Sequence, residues 1–447
     1  MTRPTPRLTS WLQAIPPWGL TFYAIATSFS TYFCMYAFRK PFSAGEFKGE
    51  TFLGDHIELK TAFVISQIIG YALSKFIGIK ICSEVSRGKR ASTLILMIVL
   101  AQLALLLFAV VPNNFKVLAM LLNGLPLGMV WGITVRYLEG RRTSEILLAG
   151  LSCSFIVSSG TVKQIGLWMI RDLGTGEFWM PFCVGLIFMP LFAVSVWLLD
   201  HIPPPDEKDI AERTRRESMD QRERIGFFTH FAGGIVLLLI AYFFLTAYRD
   251  YRDNFGIELL GELGVADAKA IFVQTELPVA IGVMIALASL NMIRDRRAGL
   301  IAVFVLMTIG TFLLLLSSWL LDTNQISGKW WMILTGLGVY LAYVPYGSVL
   351  FDRIVASSKV PATAAFAITA CDAVGYVGAV GLQLYKDLFA TESSRLTFFR
   401  GYTYFVAVLA SLMLVGSCFY FLNKHAPGLD EPEIDEPDLD ESKSNDE

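Results

Sequence analysis

Charge is scarce in this chain, and what there is of it is clustered. Only 17% of the 447 residues are Asp, Glu, Lys or Arg, against 54% hydrophobic residues, which excludes an ordinary soluble fold. Cysteine is sparse as well: Cys34, Cys82, Cys153, Cys183, Cys371 and Cys418 stand singly in apolar stretches. No CxxC and no Cys/His ligand spacing occurs, so neither a structural disulfide nor a metal site is expected. There is no GxxxxGK[ST], so ATP does not drive the chain directly. There is no GxSxG, no HExxH and no aspartyl pair at helical spacing, which leaves an enzyme the least supported class. No cofactor and no nucleic-acid partner is expected. Ten-residue alternating strands are also missing, and a β-barrel is excluded with them.

What the chain has instead is long apolar runs. About twelve segments can cross roughly 30 Å of hydrocarbon at about 1.5 Å per residue. They fall near 17–40, 58–81, 91–111, 115–137, 145–170, 178–199, 227–250, 268–291, 298–320, 330–351, 362–384 and 397–422. Lipid offers no partner to an unpaired backbone group, so these runs are expected to be helices in an all-α integral membrane protein. The stretch PPPDEKDIAERTRRESMDQRER breaks the pattern with dense charge of both signs, as a solvated connector does. The expected organisation is a six-helix bundle over 1–200, a connecting loop over 201–226, a second six-helix bundle over 227–424 and a disordered acidic tail over 425–447. Lys and Arg gather in alternate short loops, with Arg87, Lys89 and Arg90 after helix 2 and Arg136, Arg141 and Arg142 after helix 4. That bias places both termini in the cytoplasm of a multi-pass protein of the cell (inner) membrane. No cleavable signal is expected, because the first apolar run is too long for a signal core.

The two halves echo each other. The first apolar run ends YAFRKPF and the seventh ends TAYRDYRDNF, so Arg39 and Arg249 both follow an Ala-aromatic pair. ELKTAFV and DAKAIFV likewise align Lys60 with Lys269. Such a repeat suggests two related membrane bundles facing each other, with an arginine from each converging on one anion. The planar guanidinium donates bidentately to phosphate or carboxylate.

Charges at membrane depth are costly and therefore functional candidates. Glu276 and Asp372 fall near the middle of helices 8 and 11, roughly 15 Å in, beyond reach of an interface for a short carboxylate arm. Lys75 and Lys163 lie towards the exit ends of helices 2 and 5, where a long stem can also snorkel. A Lys163–Asp372 bridge across the halves is one way to satisfy two of these charges.

Together YAFRKPF, GYALSKF, TAYRDYRDNF, TELPVAIG and PYGSVLFDR…KVPATAAF…GYVGA resemble the organophosphate:phosphate antiporters of the major facilitator superfamily. The resemblance implies that Arg39 and Arg249 grip a phosphate group, with Lys75 near the same cavity. It implies that Lys40, Asp253 and Glu276 form ion pairs that rearrange as the halves rock, and that Tyr340 or Tyr343, with Tyr376, forms an aromatic wall. Phe155 stands about where that family has a histidine, Asp372 has no counterpart there, and CSEVSRGKR has Glu84 and Ser86 where Asp-Arg is usual.

The expectation is a secondary transporter, monomeric in the lipid bilayer, that exchanges a small anionic substrate, an organophosphate, for inorganic phosphate. A proton-coupled carrier of carboxylated solutes, with Glu276 or Asp372 as the proton site, and a non-transporting sugar-phosphate sensor are the alternatives.

Overall fold

The computed structural model describes residues 7–52, 57–139, 141, 143–206, 209, 226, 229–265, 270–290, 292–293, 295–356 and 364–429. Among them, twelve long helices carry the fold. Helices 1 to 6 are Pro17–Tyr36, Leu59–Glu84, Arg90–Val110, Asn113–Leu138, Ser144–Arg171 and Met180–Asp200. Helices 7 to 12 are Ala232–Asn254, Ile271–Leu290, Arg296–Asp322, Gly328–Pro345, Ala364–Phe389 and Arg395–Leu429. Ten are long and apolar enough to cross a membrane by length and composition. Helix 1 falls short because hydroxyl side chains such as Thr27, Ser28 and Thr31 dilute its apolar run. Lys269 and most of the connecting loop and acidic tail lie outside the described residues.

Tryptophans mark the two membrane surfaces. Trp11, Trp18 and Trp197 are exposed at the end that carries the connector, and Trp168, Trp179, Trp319 and Trp330 are exposed at the distal end. Amphipathic indole rings settle at headgroup level, so the two girdles bracket the hydrocarbon.

Glycine lets the helices of each half approach closely. A Cβ on Gly124 of helix 4 would lie 2.3 Å from the carbonyl oxygen of Gln67 in helix 2, and one on Gly128 would lie 2.6 Å from that of Tyr71. Helices 9 and 10 meet in the same way at Gly310 and Gly338. Dispersion between such close faces holds helices together where lipid tails are as apolar as leucine. The halves meet along helix 5 against helix 8 and helix 2 against helix 11.

Three local departures from the sequence expectation bear on the site. Helix 1 ends at Tyr36 rather than near residue 40, and Arg39 and Lys40 sit in the turn before the 3-10 segment Pro41–Ala44, because Pro41 cannot continue a helix. Helix 8 begins at Ile271, so Glu276 lies only about 7.5 Å from its distal end rather than at mid-helix. Beyond Pro345, helix 10 passes into a π-helical turn, Tyr346–Leu350. A two-stranded antiparallel pair, Thr51–Phe52 with Ile57–Glu58, decorates the distal end between helices 1 and 2.

Candidate functional site: an arginine pair in the cavity between the halves

Arg39 is held by its backbone. Its carbonyl oxygen accepts from Gln67 Nε2 at 2.9 Å. Asn123 Oδ1 accepts from the same amide at 2.8 Å, while Asn123 Nδ2 donates to the carbonyls of Phe38 (3.0 Å) and Ala101 (3.1 Å). Two buried amides on helices 2 and 4 thus fix a turn that has no helix of its own. The guanidinium then lies over the ring of Tyr71, with Cζ 3.9 Å from the centroid. Arg249 is built differently, inside helix 7, and its Cζ lies 4.5 Å from the centroid of Tyr343.

Both arginines line one cavity of about 100 Å³ between the halves, with Lys75, Asp372, Tyr343 and Tyr376. Among the described residues neither guanidinium has a carboxylate at ion-pair distance, and the Nε of each is buried without a hydrogen-bond partner. Asp250, beside Arg249 in sequence, turns its carboxylate to Asn254 Nδ2 (2.8 Å) and Gln383 Nε2 (3.0 Å) instead. Lys75 Nζ pairs with Asp372 Oδ2 at 3.0 Å, and Tyr242 donates to Asp372 Oδ1 at 2.7 Å. The cavity wall therefore carries three cations and one carboxylate. A larger groove of about 630 Å³ opens between helices 7, 11 and 12, but no charged side chain lines it and it lies on the outer face.

Tyr343 and Tyr376 stand on the cavity wall. Tyr340 does not; it is buried behind Phe155, with ring centroids 6.1 Å apart. Trp131 and Phe155 complete the wall on the side of helices 4 and 5, so that face is aromatic and uncharged.

The bridge between Lys163 and Asp372 is not formed. Lys163 Nζ pairs with Asp253 Oδ1 at 2.8 Å and also donates to the Asp253 carbonyl at 2.9 Å. The reason is depth: Lys163 lies near the distal end of helix 5, beside the end of helix 7, whereas Asp372 faces helix 2 across the cavity. Asp253 takes a second cation, Lys40, at 2.6 Å, so one carboxylate joins both halves. Glu276 pairs with Arg252 at 2.9 Å, and Arg252 also donates to the Met332 carbonyl at 2.8 Å.

Of the rest of the distal cluster, sequence reasoning marked only Lys60, through its repeat alignment with Lys269, and gave it no role. Lys60, almost wholly buried, pairs with Glu258, and Arg395 pairs with Glu58 and lies 3.5 Å from Asp387. Arg395 also stacks on Phe255, with Cζ 3.9 Å from the ring centroid. Apart from Lys60, these residues sit at helix ends or in short connecting segments, where a charge is ordinary, so nothing in the sequence distinguished them from solvated loop charges. They stitch helices 2, 7, 11 and 12 together and close the distal end.

An all-α bundle of two six-helix halves around a central cavity is the major facilitator fold. Solved structures agree. A D-xylose-proton symporter matches with a TM-score of 0.60 at 14% identity, over 90% of this chain and 97% of that one. The nucleoside transporter NupG matches with a TM-score of 0.56 at 13% identity, over 89% of this chain and 98% of its own. At such identities the likeness is one of fold. By sequence the chain belongs to a family of unknown function (DUF5690), whose profile matches residues 41–424. No curated protein sequence matches it.

Proposed function

We propose that this protein is a secondary transporter that exchanges a small organic phosphate for inorganic phosphate by alternating access, the two six-helix halves rocking about the central cavity. One observation carries the reading: two arginines, one from each half, face the central cavity without a carboxylate partner among the described residues. Cations out of water cost several kcal/mol each unless compensated, so such a pair is built for an anion. The fork geometry of guanidinium favours phosphate, and the sequence resemblance to organophosphate antiporters supports the same substrate class. The fold neighbours are named for a pentose and for nucleosides, which fits a substrate with a sugar-like body behind its phosphate. Exchange has a physical logic, since an empty site leaves the two cations uncompensated during the crossing.

The test is counterflow of radiolabelled phosphate in proteoliposomes against a panel of sugar and triose phosphates. Arg39→Lys and Arg249→Lys are each expected to lose most exchange while remaining folded and inserted. Near-normal rates in both would show the arginines to be interface anchors. A second reading, a proton-coupled carrier of carboxylated solutes, draws support from Asp372 on the cavity wall. Uptake driven by a pH gradient without phosphate exchange would select it.

A further inference from the structure

The chain places a carboxylate inside a cavity otherwise furnished for an anion, and that carboxylate neutralises one of the three cations there. Lys75 belongs to helix 2 and Asp372 to helix 11, so their 3.0 Å pair also ties the two halves together within the cavity. Asp372 is surrounded by Lys75 and Tyr71 from helix 2, Tyr242 and Arg249 from helix 7, Tyr343 from helix 10, and Cys371 and Tyr376 of its own helix. Tyr242 spends its single proton on Asp372, and its oxygen lies 3.0 Å from that of Tyr343, the ring on which Arg249 stacks. Hydrogen bonds and stacking therefore connect the arginine site to Asp372 without a gap.

We infer that Asp372 is an internal stand-in for the anion: a substrate entering between Arg39 and Arg249 takes Lys75 from Asp372, and Asp372 takes up a proton in exchange. This rests on the anion-site reading and deepens it. In a cavity of about 100 Å³ the arriving anion cannot avoid the neighbourhood of Asp372. Two negative groups sharing a poorly solvated space cannot both stay ionised cheaply, and the group that has lost its cation accepts the proton. The balance is simple: one proton moves from the aqueous side to an Asp372 oxygen, Lys75 Nζ leaves that oxygen for the anion, and no covalent bond to carbon or phosphorus changes. Because the broken pair spans the halves, binding also loosens their contact at the cavity, as reorientation demands.

The experiment is calorimetric titration of the purified full-length protein, in buffers of different ionisation enthalpy, with inorganic phosphate and with sulfate, which stays dianionic across the neutral range. The wild type is expected to take up close to one proton per sulfate bound, and its affinity to rise as pH falls, by up to about tenfold per pH unit for one linked proton. Asp372→Asn should bind the anion more tightly, with no linked proton and a flat pH profile. Lys75→Gln removes the cation whose transfer drives the exchange, and should also show no linked proton uptake. An infrared band of a protonated carboxyl group should appear on anion binding in the wild type and not in either variant. Anion binding that requires Arg39 and Arg249, yet carries the same proton count in the wild type and both variants, would overturn this inference alone. Absence of anion binding by the wild type, or binding untouched by Arg39→Lys and Arg249→Lys, would overturn the anion site itself.

Discussion

Arg39 owes its place to two amide side chains rather than to a helix. Asn123 is fully buried and satisfies the carbonyls of Phe38 and Ala101 as well as Gln67. Asn123→Leu would strand those groups, at about 1–3 kcal/mol for each buried polar atom left unpaired. The expected result is a lower unfolding temperature in detergent together with weakened anion binding, because the turn that aims the guanidinium loses its anchor. A stable variant with unchanged affinity would show that Gln67 alone holds the turn. Arg249 depends on a ring instead. A desolvated cation–π contact is worth about 2 kcal/mol, so Tyr343→Leu should weaken anion binding roughly thirtyfold, whereas Tyr343→Phe, which keeps the ring, should lose far less. Equal losses in the two variants would assign the effect to the Tyr343 hydroxyl and its bond to Tyr242.

Between elements, steric fit and charge compensation act at different ends of the same helices. Helices 2 and 4 touch at Gly124, where any side chain would strike the Gln67 carbonyl. Gly124→Ala is therefore expected to destabilise by about 1–3 kcal/mol, measured by thermal unfolding, and also to disturb Gln67 and so Arg39. At the distal end Asp253 is, among the described residues, the carboxylate at ion-pair distance from both Lys40 and Lys163, which are buried. Removing one partner of a buried ion pair costs about 3–5 kcal/mol, so Asp253→Asn should express poorly or unfold early. Adding Lys163→Met should recover part of that loss. Strictly additive destabilisation in the double variant would mean that the pair is not energetically coupled.

At the scale of the molecule the polar contacts are unequally distributed along the membrane normal. Lys60 with Glu258, Arg395 with Glu58, and Lys40 and Lys163 with Asp253 cluster at the distal end and join the halves there. Under the proposed alternating access, this cluster would have to break when the distal end opens. Each factor of ten in population corresponds to about 1.4 kcal/mol, so losing the largely buried Lys60–Glu258 pair, together with the Arg395 contacts to exposed Glu58 and buried Asp387, should shift the population by about tenfold or more. In a background without other reactive thiols, Lys60→Gln with Arg395→Gln should let a distal thiol reagent reach a cysteine placed at Ser43, which is fully buried here. Unchanged labelling would place the distal gate elsewhere.

Hydropathy by itself determined where helices would form, because rise per residue and hydrocarbon thickness leave few choices, and helices 2 to 6 fall close to their expected spans. Internal repetition alone was enough to single out Arg39 and Arg249. Periodicity could not decide which charges would meet. Glu276 looked central because the start of helix 8 cannot be read to within a turn, and a Lys163–Asp372 bridge stood as one option only because both charges were unexplained. Those questions depend on how each helix is rotated and how deep it lies against its neighbours, and close contacts such as Gly124 on Gln67 set both. Only the tertiary structure could assign Lys163 to Asp253 and Lys75 to Asp372, because a buried charge takes the nearest opposite charge at its own depth, wherever that charge lies along the chain.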